Sequence, residues 1–155
     1  MAIRPKLFAF ITVKCLAGAH AMAADGLTTV RSNYGPKDTM NRLEAEVKAR
    51  GMTVFAHIDH AAGASAVGLP LRPTDLLILG NAKGGTPLMQ SVQTIGIDLP
   101  LKILVWQDAA GSTWLSYNDP SWFAKRHGLG GDVGATVNAL KTAIHGVAKA
   151  ATGSQ

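Results

Sequence analysis

The segment His57-Ile58-Asp59-His60 holds the densest set of donor side chains in the chain. Imidazoles and a carboxylate are the natural ligands for copper or zinc where thiolates are scarce, so His57, Asp59 and His60 form a candidate metal set. In an extended strand, however, His57 and Asp59 share one face while His60 points to the other. Both imidazoles grip one ion only if the chain bends at Ala61-Ala62-Gly63. The structural alternative has His60 hydrogen-bonding at a strand end and His57 on the surface or at the rim of the core.

A second candidate is Gly80-Asn81-Ala82-Lys83-Gly84-Gly85-Thr86. A glycine-rich turn between a buried strand and a helix offers backbone N–H groups and a helix dipole to an anion, and Lys83 adds charge. The order Gly-Lys-Ser/Thr of a nucleotide-binding loop is missing, which argues against ATP. The competing reading is a turn capped by Thr86, with Pro87 opening a helix to Thr94. A third segment is Tyr117-Asn118-Asp119-Pro120, where Asn118 or Asp119 caps a helix and Tyr117 bonds across a strand end. His60, Asn81, Lys83, Tyr117 and Asn118 each fall where a strand terminates. They are therefore expected to converge, with Thr86, on one small-ligand pocket at one end of a sheet. Asp98 joins them as an acid or serves as a turn former.

Established catalytic patterns are missing. Gly63-Ala64-Ser65-Ala66-Val67 lacks the second glycine of a nucleophile elbow, and neither a zinc-protease HExxH nor paired glycosidase carboxylates stand out. Trp106 and Trp114 read as cross-strand aromatics rather than a base-stacking platform. Lys125-Arg126-His127 reads as a solvated helix end.

The elements that must position these residues follow from periodicity. Strands are expected at Leu27–Ser32, Met52–His60, Asp75–Gly80, Leu99–Gln107 and Thr113–Tyr117, the last two forming a hairpin around Asp108-Ala109-Ala110-Gly111. On the second strand Val54, Ala56 and Ile58 should face one way and Phe55, His57 and Asp59 the other. Helices are expected at Lys37–Arg50 with Gly51 as its stop, at Pro87–Thr94, at Ser121–His127 and from Asp132 to Ala150. The last carries Val133, Val137, Leu140, Ile144 and Val147 on a single stripe. The order β-α-β-(α)-β-α-β-β-α-α, with a late hairpin, predicts an α+β fold: one compact domain, a mixed or antiparallel sheet, helices mainly on one face.

The chain has 155 residues, 47% hydrophobic and 16% charged, with a net charge of +5 and one cysteine. Residues 1–23 read as a secretory signal peptide: Arg4 and Lys6, an apolar run from Leu7 to Val13, and Ala21-Met22-Ala23 as an A-x-A cleavage site. Lys14 interrupts the run well short of the ~20 apolar residues of a membrane span. Cleavage would remove Arg4, Lys6 and Lys14, leaving 12 basic residues against an unchanged 10 acidic ones, a net charge of +2. It would also remove Cys15, the only thiol, and with it zinc-ribbon, iron–sulfur and CxxC chemistry. The expectation is export to the periplasm or beyond, a domain over 24–155, no stable membrane insertion afterwards and no nucleic-acid partner.

Four ordered segments, Phe55 to Ala62, Leu79 to Met89, Ile97 to Lys102 and Leu115 to Pro120, resemble the bacterial domain of unknown function 302 family over about Thr28 to Ala150. One departure is Ala82, where the family pattern more often has Pro. The resemblance implies a compact α+β domain able to form a homodimer, and no settled activity. Two functions fit these residues. The first is an exported, non-enzymatic domain holding a small ligand or ion near His60 and the Asn81–Thr86 loop. The second is an enzyme for a small anionic substrate, with His60 as acid/base, Lys83 as anchor and Tyr117 as proton donor.

Overall fold

The computed structural model describes residues 24–154. The expected signal peptide, 1–23, lies outside the described residues. Chain order is β1 (Leu27–Arg31), α1 (Pro36–Ala49), β2 (Thr53–Asp59), α2 (His60–Ala66), β3 (Thr74–Gly80), α3 (Ala82–Ser91), a 3-10 turn (Gln93–Ile97), β4 (Leu101–Gln107), β5 (Thr113–Asn118), α4 (Pro120–Arg126), a second 3-10 turn (Gly131–Val133) and α5 (Gly134–Thr152).

The five strands make one sheet in the order β1-β5-β4-β3-β2, and every pairing is antiparallel. In the meander β2 to β5 each strand pairs with the next, through α2 between β2 and β3, through α3 and the first 3-10 turn between β3 and β4, and through a tight turn between β4 and β5. α1 carries the chain from one edge of the sheet to the other. The fold is thus α+β, as the element order predicts, with the antiparallel form of the sheet. Strand alternation sends Leu77, Leu79, Ile103, Val105 and Leu115 into the core, where they meet Leu43 and Val47 of α1 and Ile144 and Val147 of α5, all essentially inaccessible. Each such side chain contributes about 1.5–3 kcal/mol of transfer free energy. The opposite face, with Ile58, Leu76, Ile78, Leu104, Trp106 and Trp114, is half-buried or exposed.

The β4–β5 hairpin forms where expected. Asp108 organises its turn by accepting from the N–H groups of Ala110 and Ser112, both at 2.9 Å, and from the Trp114 indole at 2.8 Å. Trp106 pairs directly with Trp114, their rings stacked with centroids 6.2 Å apart. Gly51 stops α1 with a φ of +67°, the left-handed conformation glycine adopts without strain.

Three expectations are corrected. α3 begins at Ala82 rather than Pro87: Asn81 is its N-cap, Thr86 and Pro87 lie inside it, and it ends at Ser91. The local Thr-Pro signal loses to an Asn cap one turn earlier, which lets Leu88 reach full burial. Ala82 takes the first helical position, where proline also fits, so the departure at this residue leaves the cap intact. Asp132 does not cap α5; it lies in the 3-10 turn that precedes it. Finally, β2 is bulged. Val54 pairs with Leu79 and Ala56 with Ile78, leaving Phe55 as the extra residue, so Val54 packs on the core while Ile58 faces the other side.

Candidate functional site

Beside the C-terminal end of β3, the start of α3, the middle of α5 and the first residues of β4 enclose a cavity of about 240 Å³. Its apolar wall is made by Met52, Phe55, Met89, Leu99, Leu101 and Leu140. The polar side chains on it are those of Asn81 and Thr86. Each wall residue has a local cause. Phe55 is brought there by the bulge, its ring 3.5 Å from where a Cβ on Gly80 would stand. Gly85 leaves the cavity open, since a Cβ there would stand 3.7 Å from Leu99 and 3.8 Å from Met89. Leu140 belongs to the apolar stripe of α5, yet it stays only half-buried while Val137, Ile144 and Val147 enter the core.

A shallow basin adjoins the cavity, sharing Met52, Asn81, Leu140 and Ala143 with it, and adds Arg50 and Lys83. No Asp or Glu lines either space. Arg50 pairs with Glu46 at 3.5 Å and donates to the Gly146 carbonyl at 3.3 Å, whereas Lys83 pairs with no carboxylate among the described residues. The backbone N–H groups that an anion would want are occupied. Asn81 takes the Lys83 N–H on its side-chain oxygen at 2.8 Å and those of Gly84 and Gly85 on its carbonyl, each at 3.0 Å.

The expected convergence of site residues occurs only in part. Asn81 and Thr86 line the cavity and Lys83 the basin beside it. His60 is at the opposite end of the sheet: β2 and β3 are antiparallel, Thr53 pairs with Gly80 and Asp59 with Asp75, so six strand steps, about 20 Å, intervene. Two consecutive antiparallel strands terminate at opposite ends, which the sequence reading did not carry through. Tyr117 lies at the correct end but on the wrong flank of α5, in a separate recess with Thr28, Asp119, Lys141 and His145. Its hydroxyl is 3.4 Å from His145 Nδ1. Burial pushes the phenol above its ordinary pKa, the Thr28 hydroxyl opposes that shift, and the Asp119 charge adds to it. A phenol that holds its proton more tightly is ill-suited to donate it. Asn118 is exposed at the end of β5, paired with Leu27, and the cap of α4 is Asp119, which accepts from the Ser121 N–H at 2.7 Å.

The proposed metal donors are likewise separated. His57 lies between two carboxylates, Nε2 3.0 Å from Asp75 and Nδ1 3.3 Å from Glu44, one on each ring nitrogen. Asp59 caps α2 by accepting from the Ala62 N–H at 2.7 Å, and His60 is the first residue of that helix. Among the described residues no three His, Cys, Asp or Glu side chains are grouped to hold a copper or zinc ion.

Sequence reading missed Met52, Phe55, Met89 and Leu99 as a group. The one available signal was their apolar character at element ends, which reads as core. It also missed the His127–Asp98 contact, Nε2 to Oδ2 at 2.7 Å, with the Thr94 hydroxyl 3.3 Å from His127 Nδ1. These residues are far apart in sequence, and they tie the end of α4 to the turn before β4.

The family model described as domain of unknown function DUF302 matches residues 28–147. This chain belongs to the DUF302 family. The matched span contains every residue that lines the cavity and its basin. A crystal structure of an uncharacterized conserved DUF302 protein from Bacillus stearothermophilus has the same fold, with a TM-score of 0.74 at 19% identity, covering 83% of this chain and 99% of that one. Over 128 residues, 83% of this chain, the DUF302 chain is 46% identical to a protein named fluoride-specific ion channel FluC 1 from Brucella suis biovar 1, covering 50% of it. It is equally similar to a FluC 1 from Brucella abortus biovar 1, over 47% of that protein. The chain therefore spans about half the length of the curated relatives it matches.

Proposed function

We propose that this DUF302 domain is an exported, periplasmic binding module that holds a small, mainly apolar molecule in the cavity between β3, α3 and α5. The observation that carries this reading is the cavity itself, apolar on its walls with Asn81 and Thr86 as its polar groups, the usual composition of a small-molecule site. At about 240 Å³ it is larger than the ~150 Å³ void that accepts a benzene and smaller than the 300–1,000 Å³ clefts of drug-sized ligands. Binding rather than catalysis is favoured because His60, Lys83 and Tyr117, the groups an enzyme reading needs together, occupy three separate places.

Export rests on the leader-like residues 1–23, and the first residue of the mature protein should be Ala24. Among the described residues no helix is long and apolar enough to cross a membrane. The DUF302 domain matches about half of its longer, channel-named relatives, and ion conduction is not proposed for it. A homodimer belongs to the same proposal, supported by the apolar side chains on the open face of the sheet; sedimentation velocity tests it.

The deciding experiment is native mass spectrometry of protein purified from the envelope fraction. Expected is a chain beginning at Ala24 that carries a non-covalent adduct, lost in Ala143→Phe, which fills the cavity from α5. An adduct that survives Ala143→Phe, or a protein that never carries one, would count against the reading.

A further inference from the structure

The cavity and the basin are one continuous surface with two chemistries, and no residue that lines it carries a negative charge. The inner part offers Phe55, Met89, Leu99 and Leu140, which have nothing to give a polar ligand. The outer part presents Lys83 with no carboxylate partner among the described residues, and Arg50, whose pairing with Glu46 uses few of its five donors. Asn81 stands at the junction, lining both parts. A neutral apolar ligand would fill the cavity and leave Lys83, and the donors of Arg50 not used by Glu46 and the Gly146 carbonyl, to water. A small hydrophilic anion would meet the cations and leave the cavity empty, and it would find the N–H groups at the start of α3 already used by Asn81.

We propose that the ligand is an amphiphilic monoanion: an aliphatic or aromatic tail of about six to ten carbons seated in the cavity, with a carboxylate at the Lys83–Arg50 rim. This rests on the binding reading given above. The tail supplies most of the affinity through apolar burial. The head group stays hydrated and gains only the modest attraction of exposed cations, which sets orientation and selectivity. Phe55, exposed and held over the mouth by the bulge, contacts the tail where it leaves the cavity.

Calorimetric titration with octanoate and with octan-1-ol tests both levels. The two probes share a tail and differ in the charge of the head. Expected is octanoate binding about fivefold tighter than octanol in low salt, the preference vanishing in 1 M salt, where the Debye length is about 3 Å. Lys83→Gln, on an exposed residue, should weaken octanoate about threefold and leave octanol unchanged. Equal affinity for both probes, or an unchanged preference in both Lys83→Gln and Arg50→Gln, would overturn the amphiphile inference while leaving an apolar binding site standing. Failure of both probes to bind at millimolar concentration would overturn the inference together with the reading beneath it.

Discussion

The side-chain oxygen of Asn81 accepts the backbone N–H of Lys83 at 2.8 Å, so the residue that joins the apolar cavity to its cationic rim is also the cap that starts α3. The helix start and the site therefore depend on one side chain. The Asn81 side chain takes the Lys83 N–H and its backbone carbonyl those of Gly84 and Gly85, so these donors are not open to a small bare anion. This local geometry is the basis for proposing a ligand with a tail.

Asn81→Ala removes the cap and should cost about 1 kcal/mol, a fall in Tm of about 3 °C for a domain of this size. Asn81→Asp keeps the cap and should preserve Tm. It also places a carboxylate beside Lys83, so octanoate affinity should fall by severalfold while octanol binding holds. Differential scanning calorimetry beside the titration separates the two roles. An Asn81→Asp protein that binds octanoate like wild type would disconnect the cap from the ligand.

Phe55 should behave in the opposite manner, with ligand effects outweighing stability effects. Its side chain is 56% exposed and stands out of register in β2, so Phe55→Ala should change stability by no more than about 0.5 kcal/mol. Removing the ring takes one wall from the cavity mouth and should raise the dissociation constant for either probe about tenfold. Chemical denaturation and calorimetry on the same sample make the comparison. A large stability loss with intact binding would reassign the ring to the core.

His60→Ala and Tyr117→Phe should leave binding of both probes within twofold of wild type. His60 lies six strand steps from Gly80 along the sheet, and Tyr117 is in the recess on the other flank of α5. Tyr117→Phe should still cost a little stability, because its hydroxyl makes a part-buried contact with the α5 residue His145. A marked loss of binding in His60→Ala would mean that the ligand occupies a different place from the one proposed.

The elements of this fold were legible because they obey local rules. The stripe Val137, Ile144 and Val147 names a buried helix face, the Asp108 turn names a hairpin, and Gly51 names a helix end. The site was legible only where it coincided with a loop of distinctive composition, at Asn81, Lys83 and Thr86. Its apolar half was hidden because Met52, Met89, Leu99 and Leu140 differ from core residues only in what remains unfilled beside them. That is a property of tertiary assembly. The bulge at Phe55 inverted the face assignment of half a strand, and β2 reads as a regular alternation up to that point. His60 and Asn81 were brought together by a rule for parallel strands, and the antiparallel pairing of β2 with β3 separates them.

Acid should loosen the β4–β5 hairpin through Asp108. The hydrogen bond from the Trp114 indole, followed by that from the Ser112 N–H, holds its carboxyl below the ordinary value, against the smaller opposing effect of burial. Burial raises Asp119 as its largest single influence, yet the Ser121 N–H and Lys141, whose amine is 3.2 Å away, together leave it lowered as well. A carboxyl with a depressed folded pKa is ionised in the native state over a range where the unfolded chain is already protonated. Its contribution is therefore complete above the unfolded value, near pH 4, and is lost as pH falls through the folded value. Stability should stay level from pH 7 to about pH 5 with respect to these two groups and decline below about pH 4. Near-UV circular dichroism should report the hairpin, because Trp106 and Trp114 stack across it. Asp108→Asn, whose amide presents an N–H where the carboxylate accepted from Trp114, should be less stable than wild type at pH 7 and lose less on acidification. An unchanged acid slope in Asp108→Asn would place the sensitivity elsewhere, with the Asp119–Lys141 pair as the next group to substitute.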